Sequence, residues 1–226
     1  MDRRTLAPLV AEVLGTFLFF FVGAGAAAAG GDLLAVALAH GLVLAVLVSS
    51  LGAVSGAHFN PAVTVGVFVF GRIDAVKAAS YIVAQLIGAV LAGLTLVALF
   101  PGSSIGTPAL GEGISPATGT AIEAILTAVL LFAVLGTAID ARAPRIGGLA
   151  IGLAVGADIL MGGTLTGAAM NPARWFGPAL ASGDLSNAYV WIVGPLAGAI
   201  AIAAIYRYLL LPEAEPERVP ADPSAG

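Results

Sequence analysis

Slid against itself by 111 residues, the chain repeats. Ser55–Thr64 reads SGAHFNPAVT and returns from Thr166 to Trp175 as TGAAMNPARW, so Asn60-Pro61-Ala62 falls on Asn171-Pro172-Ala173. The same offset lays Glu12 on Glu123, Thr16 on Thr127 and Gly41 on Gly152. A chain written twice folds as two copies of one unit, and the number of spans in each copy then fixes how the copies face each other.

That number follows from hydropathy. Hydrophobic residues make up 59% of the chain and charged residues 10%, against about 25% charged in a soluble domain; the mean hydropathy is +1.04. Six apolar stretches, about 6–29, 33–54, 78–100, 117–139, 146–162 and 188–210, are each long enough to span about 30 Å of hydrocarbon as helices. The first contains Glu12 and has a counterpart in the second half, so it is read as a span and not as a cleaved signal peptide. Three spans per half is an odd number, so the halves, about 6–100 and 117–211, are inverted relative to one another. The expected fold is an all-α membrane protein with six transmembrane helices and two re-entrant half-helices in an inverted repeat. Residues 1–211 are expected to form one domain, and 212–226 a polar, disordered cytoplasmic tail.

Each Asn-Pro pair starts a helix, because Asn is a favoured N-cap and Pro a favoured first helical residue. From Asn60 to Phe70 and from Asn171 to Ala181 the rise is about 16 Å, half a bilayer core. Irregular backbone at that depth is tolerated only inside protein or along a watery cavity. The two helix starts are therefore expected to meet at the midplane beside a pore.

Basic residues fall before the first span, around Arg72 and Lys77, at Arg142 and Arg145, and at Arg207 and Arg218, all on one side. The positive-inside rule puts both termini in the cytoplasm. Only Arg174 lies within the membrane, where an uncompensated charge costs at least about 2.5 kcal/mol, so it is a candidate functional residue. Glu12 and Glu123 are intramembrane acids with two readings: a proton relay, or, preferred here, carboxylates that accept from the unpaired N–H groups before each half-helix. The chain has no cysteine, and no nucleophile with a paired base suggests an enzyme.

The motifs SGAHFNPAVT and MNPARWFGPA, with the AE opening of the first span, resemble the aquaporin, or major intrinsic protein, family from Ala11 to about Leu210. The resemblance implies a passive channel for water and small neutral solutes, in a lipid bilayer, as a homotetramer with one pore per subunit. It implies neither cofactor nor metal and no nucleic-acid partner. It places a selectivity filter at His40, Ile159, Ala168 and Arg174, and His58 in the cytoplasmic part of the pore or satisfied by neighbouring groups. This quartet, with the words VALAHGL and GADILM, is similar to tonoplast-type plant aquaporins, which implies ammonia, urea or hydrogen peroxide besides water. A glycerol-type facilitator is the alternative, disfavoured because Trp175 stands where that branch has Asp; a proton-coupled secondary transporter is the more distant one. A prokaryotic cell membrane is the expected location. Beside Arg174, His40 is expected to be neutral and to offer a solute one donor and one acceptor. Trp175 is expected to pack or to anchor at the interface, and Asp158 is open between a protonated acid, a partner of Arg174 or of a backbone donor, and a vestibule residue.

Overall fold

The computed structural model describes residues 2–102, 105–144 and 146–211. The expected tail, Arg145 and Arg218 lie outside them. The elements in chain order are α1 Arg3–Ala28, α2 Leu33–Ser55, α3 Pro61–Phe70, α4 Ala75–Leu99, α5 Pro116–Val134, α6 Gly147–Thr166, α7 Pro172–Ser182 and α8 Ala188–Ile205. Helices α5 and α8 end in π-helical turns, Leu135–Ile139 and Tyr206–Leu210. With those turns included, six helices are long and apolar enough to cross a membrane, and α3 and α7 are the two short ones.

Local chemistry sets the ends. Asp2, Asp32, Asp74 and Ser115 cap their helices by accepting a backbone N–H in the first turn. Gly56, Gly71, Gly167 and Gly183 close α2, α3, α6 and α7 in the left-handed region that glycine enters freely. The chain therefore leaves α2 abruptly at Gly56 and α6 at Gly167, and turns back into the protein.

Helix pairs approach where side chains vanish. At the α2–α6 crossing, a Cβ on Gly41 would meet the Gly152 carbonyl, and one on Gly152 would meet the Gly41 carbonyl, so the two repeat-related glycines face each other. Gly88 lies against the Val13 carbonyl of α1, and Gly198 against the Ala124 carbonyl of α5. Val13 and Ala124 are themselves 111 residues apart, so the same joint is built twice. Such close approach maximises dispersion contact where lipid supplies no hydrophobic drive between helices.

On the face that carries Arg3 and Leu211, near the termini of the described residues, Arg142 pairs with Asp140, whose Oδ2 also accepts from the Tyr206 hydroxyl at 2.9 Å. The bonds from Arg142 hold the Asp140 carboxyl below the usual carboxylate range. This cluster ties the ends of α5 and α8 together. It is the only ion pair among the described residues, so Arg174 has no carboxylate partner.

Candidate pore

The site begins with backbone that other helices must hold in place. Ala57 and Phe59 before α3, and Ala168 and Met170 before α7, all have φ between 43° and 52°. These are left-handed positions without glycine, each costing about 1–3 kcal/mol unless the surroundings enforce it.

Two carboxylates enforce it. Glu12 Oε1 accepts from Ser55 Oγ at 2.6 Å and from His58 N at 3.0 Å, and Oε2 accepts from Phe59 N at 2.8 Å and Gln85 Nε2 at 2.8 Å. Glu123 repeats the arrangement, taking Thr166 Oγ1 at 2.7 Å, Ala169 N at 2.8 Å and Met170 N at 2.6 Å. Tyr81 donates to Ser55 O at 2.7 Å, and Trp191 to Thr166 O at 2.9 Å. The copies differ at one ligand: α8 has Pro195 about where α4 has Gln85, so the second carboxylate has no side-chain amide donor.

Asn60 and Asn171 sit at the junction. Asn60 Oδ1 accepts from Ala62 N at 2.8 Å and Val63 N at 3.4 Å, and Asn171 Oδ1 from Ala173 N at 3.0 Å and Arg174 N at 3.3 Å. The side-chain amides then cross between halves: Asn60 Nδ2 donates to Met170 O and Asn171 Nδ2 to Phe59 O, each at 2.9 Å. This reciprocal bridge takes up one amide hydrogen of each asparagine. One hydrogen of each remains. Pro61, Pro172, Ala62 and Ala173 are buried in the first turns of the two half-helices.

A cavity of about 870 Å³ opens on the face of the termini and runs inward to Asn60, Asn171 and Arg174. Val48, Ala57, Val63 and Ile151 are among its walls. In the 111-residue register these four correspond to Ile159, Ala168, Arg174 and His40. The four positions on the cavity wall are thus all aliphatic, while their repeat-related counterparts, likewise drawn from both halves, include an arginine and a histidine. His58 also lines the cavity, with Nδ1 3.1 Å from Thr64 Oγ1 and its ring edge against Tyr81.

Of the quartet, Ile159 and Arg174 line this cavity beside the asparagines, whereas His40 and Ala168 are not among its walls. His40 and Ala168 are 0% exposed, Ile159 1% and Arg174 5%. Arg174 Nε donates to His40 Nε2 at 3.2 Å, and His40 Nδ1 is 2.9 Å from Val36 O. Both imidazole nitrogens are therefore occupied, so His40 has no spare donor and acceptor for a solute, contrary to the expectation from sequence. Arg174 Nη1 is buried with no hydrogen-bond partner.

Trp175 is 2% exposed and stacks on Trp191 with ring centroids 5.7 Å apart, so it packs and does not anchor at an interface. Asp158 is buried, its Oδ2 has no hydrogen-bond partner, and no ion pair joins it to Arg174. Nothing in the structure assigns it a role. Gln85, Ser55 and Thr166 escaped the sequence reading, although Ser55 and Thr166 are 111 residues apart and the repeat register marks them.

Two inverted half-helices that meet head to head at the end of a blind-sided cavity, inside a six-helix bundle, define a membrane channel built on an internal repeat. Residues 2–206 match the family described as "Major intrinsic protein", and the chain belongs to that family. Aquaporin TIP4-4 of Zea mays is 45% identical over 98% of this chain and 93% of its own length. Probable aquaporin TIP3-2 of Arabidopsis thaliana is 45% identical over 93% of this chain and 84% of its own. The X-ray structure of the aquaglyceroporin from Plasmodium falciparum superposes with a TM-score of 0.81 at 28% identity, covering 91% of this chain and 96% of that one.

Proposed function

We propose that the chain is a passive channel for water that also admits small uncharged solutes. The observation that carries this is the junction itself. Two half-helix N-termini, each with one asparagine N–H left over, converge where the cavity meets Arg174. The positive ends of the helix dipoles and the asparagine donors hold a passing water by its oxygen, so its hydrogens face outward and no continuous donor–acceptor wire forms for a proton. The same field and the Arg174 charge repel cations. His40, Ile159, Ala168 and Arg174 serve as the selectivity filter, and Glu12 and Glu123 as supports of the two re-entrant loops.

A proton-coupled transporter would require its acids to exchange protons with the pathway, whereas Glu12 and Glu123 are absent from the cavity wall and accept four and three hydrogen bonds from the protein. Residues 1–211 act as one channel unit, with the termini in the cytoplasm and the subunit assembled as a homotetramer like others of its family. The two aquaporins named above are plant proteins and lend no support to a prokaryotic membrane as the location. The test is vesicle shrinkage under an imposed osmotic gradient, with and without a pH gradient, using sucrose, glycerol, urea or ammonium salts. Fast water flux that ignores the pH gradient is expected; flux that collapses without one would replace the channel by the transporter. Glycerol entering as fast as urea would move the chain to the glycerol-type branch.

A further inference from the structure

His40 is the polar residue of the quartet whose part is not settled by its position. Its neighbours settle it. Val36 O can only accept, so His40 Nδ1 carries a hydrogen; Arg174 Nε can only donate, so His40 Nε2 does not. One tautomer satisfies both contacts. The ring cannot slide away from them, since Phe19 meets it edge to face at 5.7 Å and a Cβ at Gly23 would strike its atoms. The charged group that faces it is Arg174 on α7; α1 presents Phe19 and Gly23, and its own helix the Val36 carbonyl. Among the described residues no carboxylate hydrogen-bonds or ion-pairs with it.

We propose that His40 is a positioning residue: as the Nδ1–H tautomer it fixes the Arg174 guanidinium, and leaves the Arg174 Nη groups as the filter's side-chain polarity toward solute. The proposal rests on the filter reading above. Ile159 and Ala168 have no polar side-chain atoms, so the quartet donates and does not accept. It then selects uncharged solutes that bring a lone pair, such as water, ammonia or the urea carbonyl, and gives nothing to ammonium, which has none. A second proton on His40 would have to displace the Arg174 N–H from Nε2 and set two cations face to face. The imidazole is thus held neutral across the range in which a free histidine titrates.

The chain has two histidines, so solid-state 15N NMR of histidine-labelled protein in lipid, with His58→Asn for assignment, resolves His40. The expected result is a protonated Nδ1 and bare Nε2 that do not change from about pH 8 to about pH 5, with the Nε2 signal moving in Arg174→Lys. A protonated Nε2, a doubly protonated ring in that range, or an Nε2 signal indifferent to Arg174→Lys would overturn the proposal. This readout requires no transport, so it stands apart from the channel assay. In flux, His40→Gln retains an acceptor for Arg174 and His40→Leu does not. The ratio of urea to water permeability is expected to hold in the first and to change about fivefold or more in the second. Equal effects in both variants, or none in either, would also overturn it.

Discussion

Four donors converge on the Glu12 carboxylate and three on Glu123, and the difference has a measurable consequence. In Glu12→Gln one oxygen becomes an NH2, so two donors lose their acceptor whichever way the amide is turned. In Glu123→Gln the better orientation strands only Met170 N. Each stranded buried donor costs about 1–3 kcal/mol, so both variants should yield less folded protein, Glu12→Gln the less of the two. Size-exclusion yield and thermal unfolding in detergent measure this. Water permeability per folded molecule should remain within about twofold of the parent in both if the carboxylates are supports; its loss in well-folded protein would restore the relay reading. Residues of this kind were only partly legible in the sequence. An acid in a span announces itself by its cost, whereas Gln85 is one polar residue in an apolar helix; the His40–Arg174 pairing, 134 positions apart, is expected from the family resemblance alone, and that it occupies His40 Nε2 is not.

Helices were far easier to read, because apolar length and capping chemistry are local. The boundaries expected from sequence fall within about four residues of those observed, and the π-helical ends of α5 and α8 are the features that periodicity could not give. Close approaches are half legible: Gly148, Gly152 and Gly156 recur at the four-residue spacing that lets membrane helices come together, but contact depends on what lies opposite. A Cβ at Gly152 would meet the Gly41 carbonyl, while one at Gly156 would find the nearest atom, Ala37 O, at an ordinary 3.6 Å. Gly152→Ala should therefore destabilise by about 1–3 kcal/mol through overpacking, and Gly156→Ala should be neutral or gain up to about 1 kcal/mol of helix propensity. Equal melting temperatures for the two would mean that α2 and α6 do not cross at Gly41. The half-helices make a second prediction. Asn60→Ala and Asn171→Ala each remove a cap and one arm of the same bridge, so their unfolding costs should deviate from additivity by about 0.5 kcal/mol or more in a double-mutant cycle.

At the scale of the molecule, the inverted repeat supplies the frame and the departures from it supply the direction. Val48, Ala57, Val63 and Ile151 form aliphatic cavity wall, while their repeat-related counterparts Ile159, Ala168, Arg174 and His40 are the filter proposed above. A filter so placed would separate the cavity from the opposite face, and the absence of cysteine from the whole chain turns that into a clean experiment. The parent protein should be indifferent to thiol reagents, since it has no thiol to lose. Val48→Cys puts one in the cavity wall, and Ser186→Cys puts one on the exposed turn before α8, on the opposite face. A bulky, membrane-impermeant thiol reagent should reach Cys at 48 only from the face of the termini and lower water flux as it reacts, because the reagent cannot pass Arg174 and His40. It should reach Cys at 186 only from the other face and leave the flux unchanged. Sealed vesicles of both orientations, labelled and then assayed for shrinkage, decide it. If Val48→Cys reacts from the Ser186 side, the constriction is not at the quartet, and the division of the pore into entry and filter is wrong.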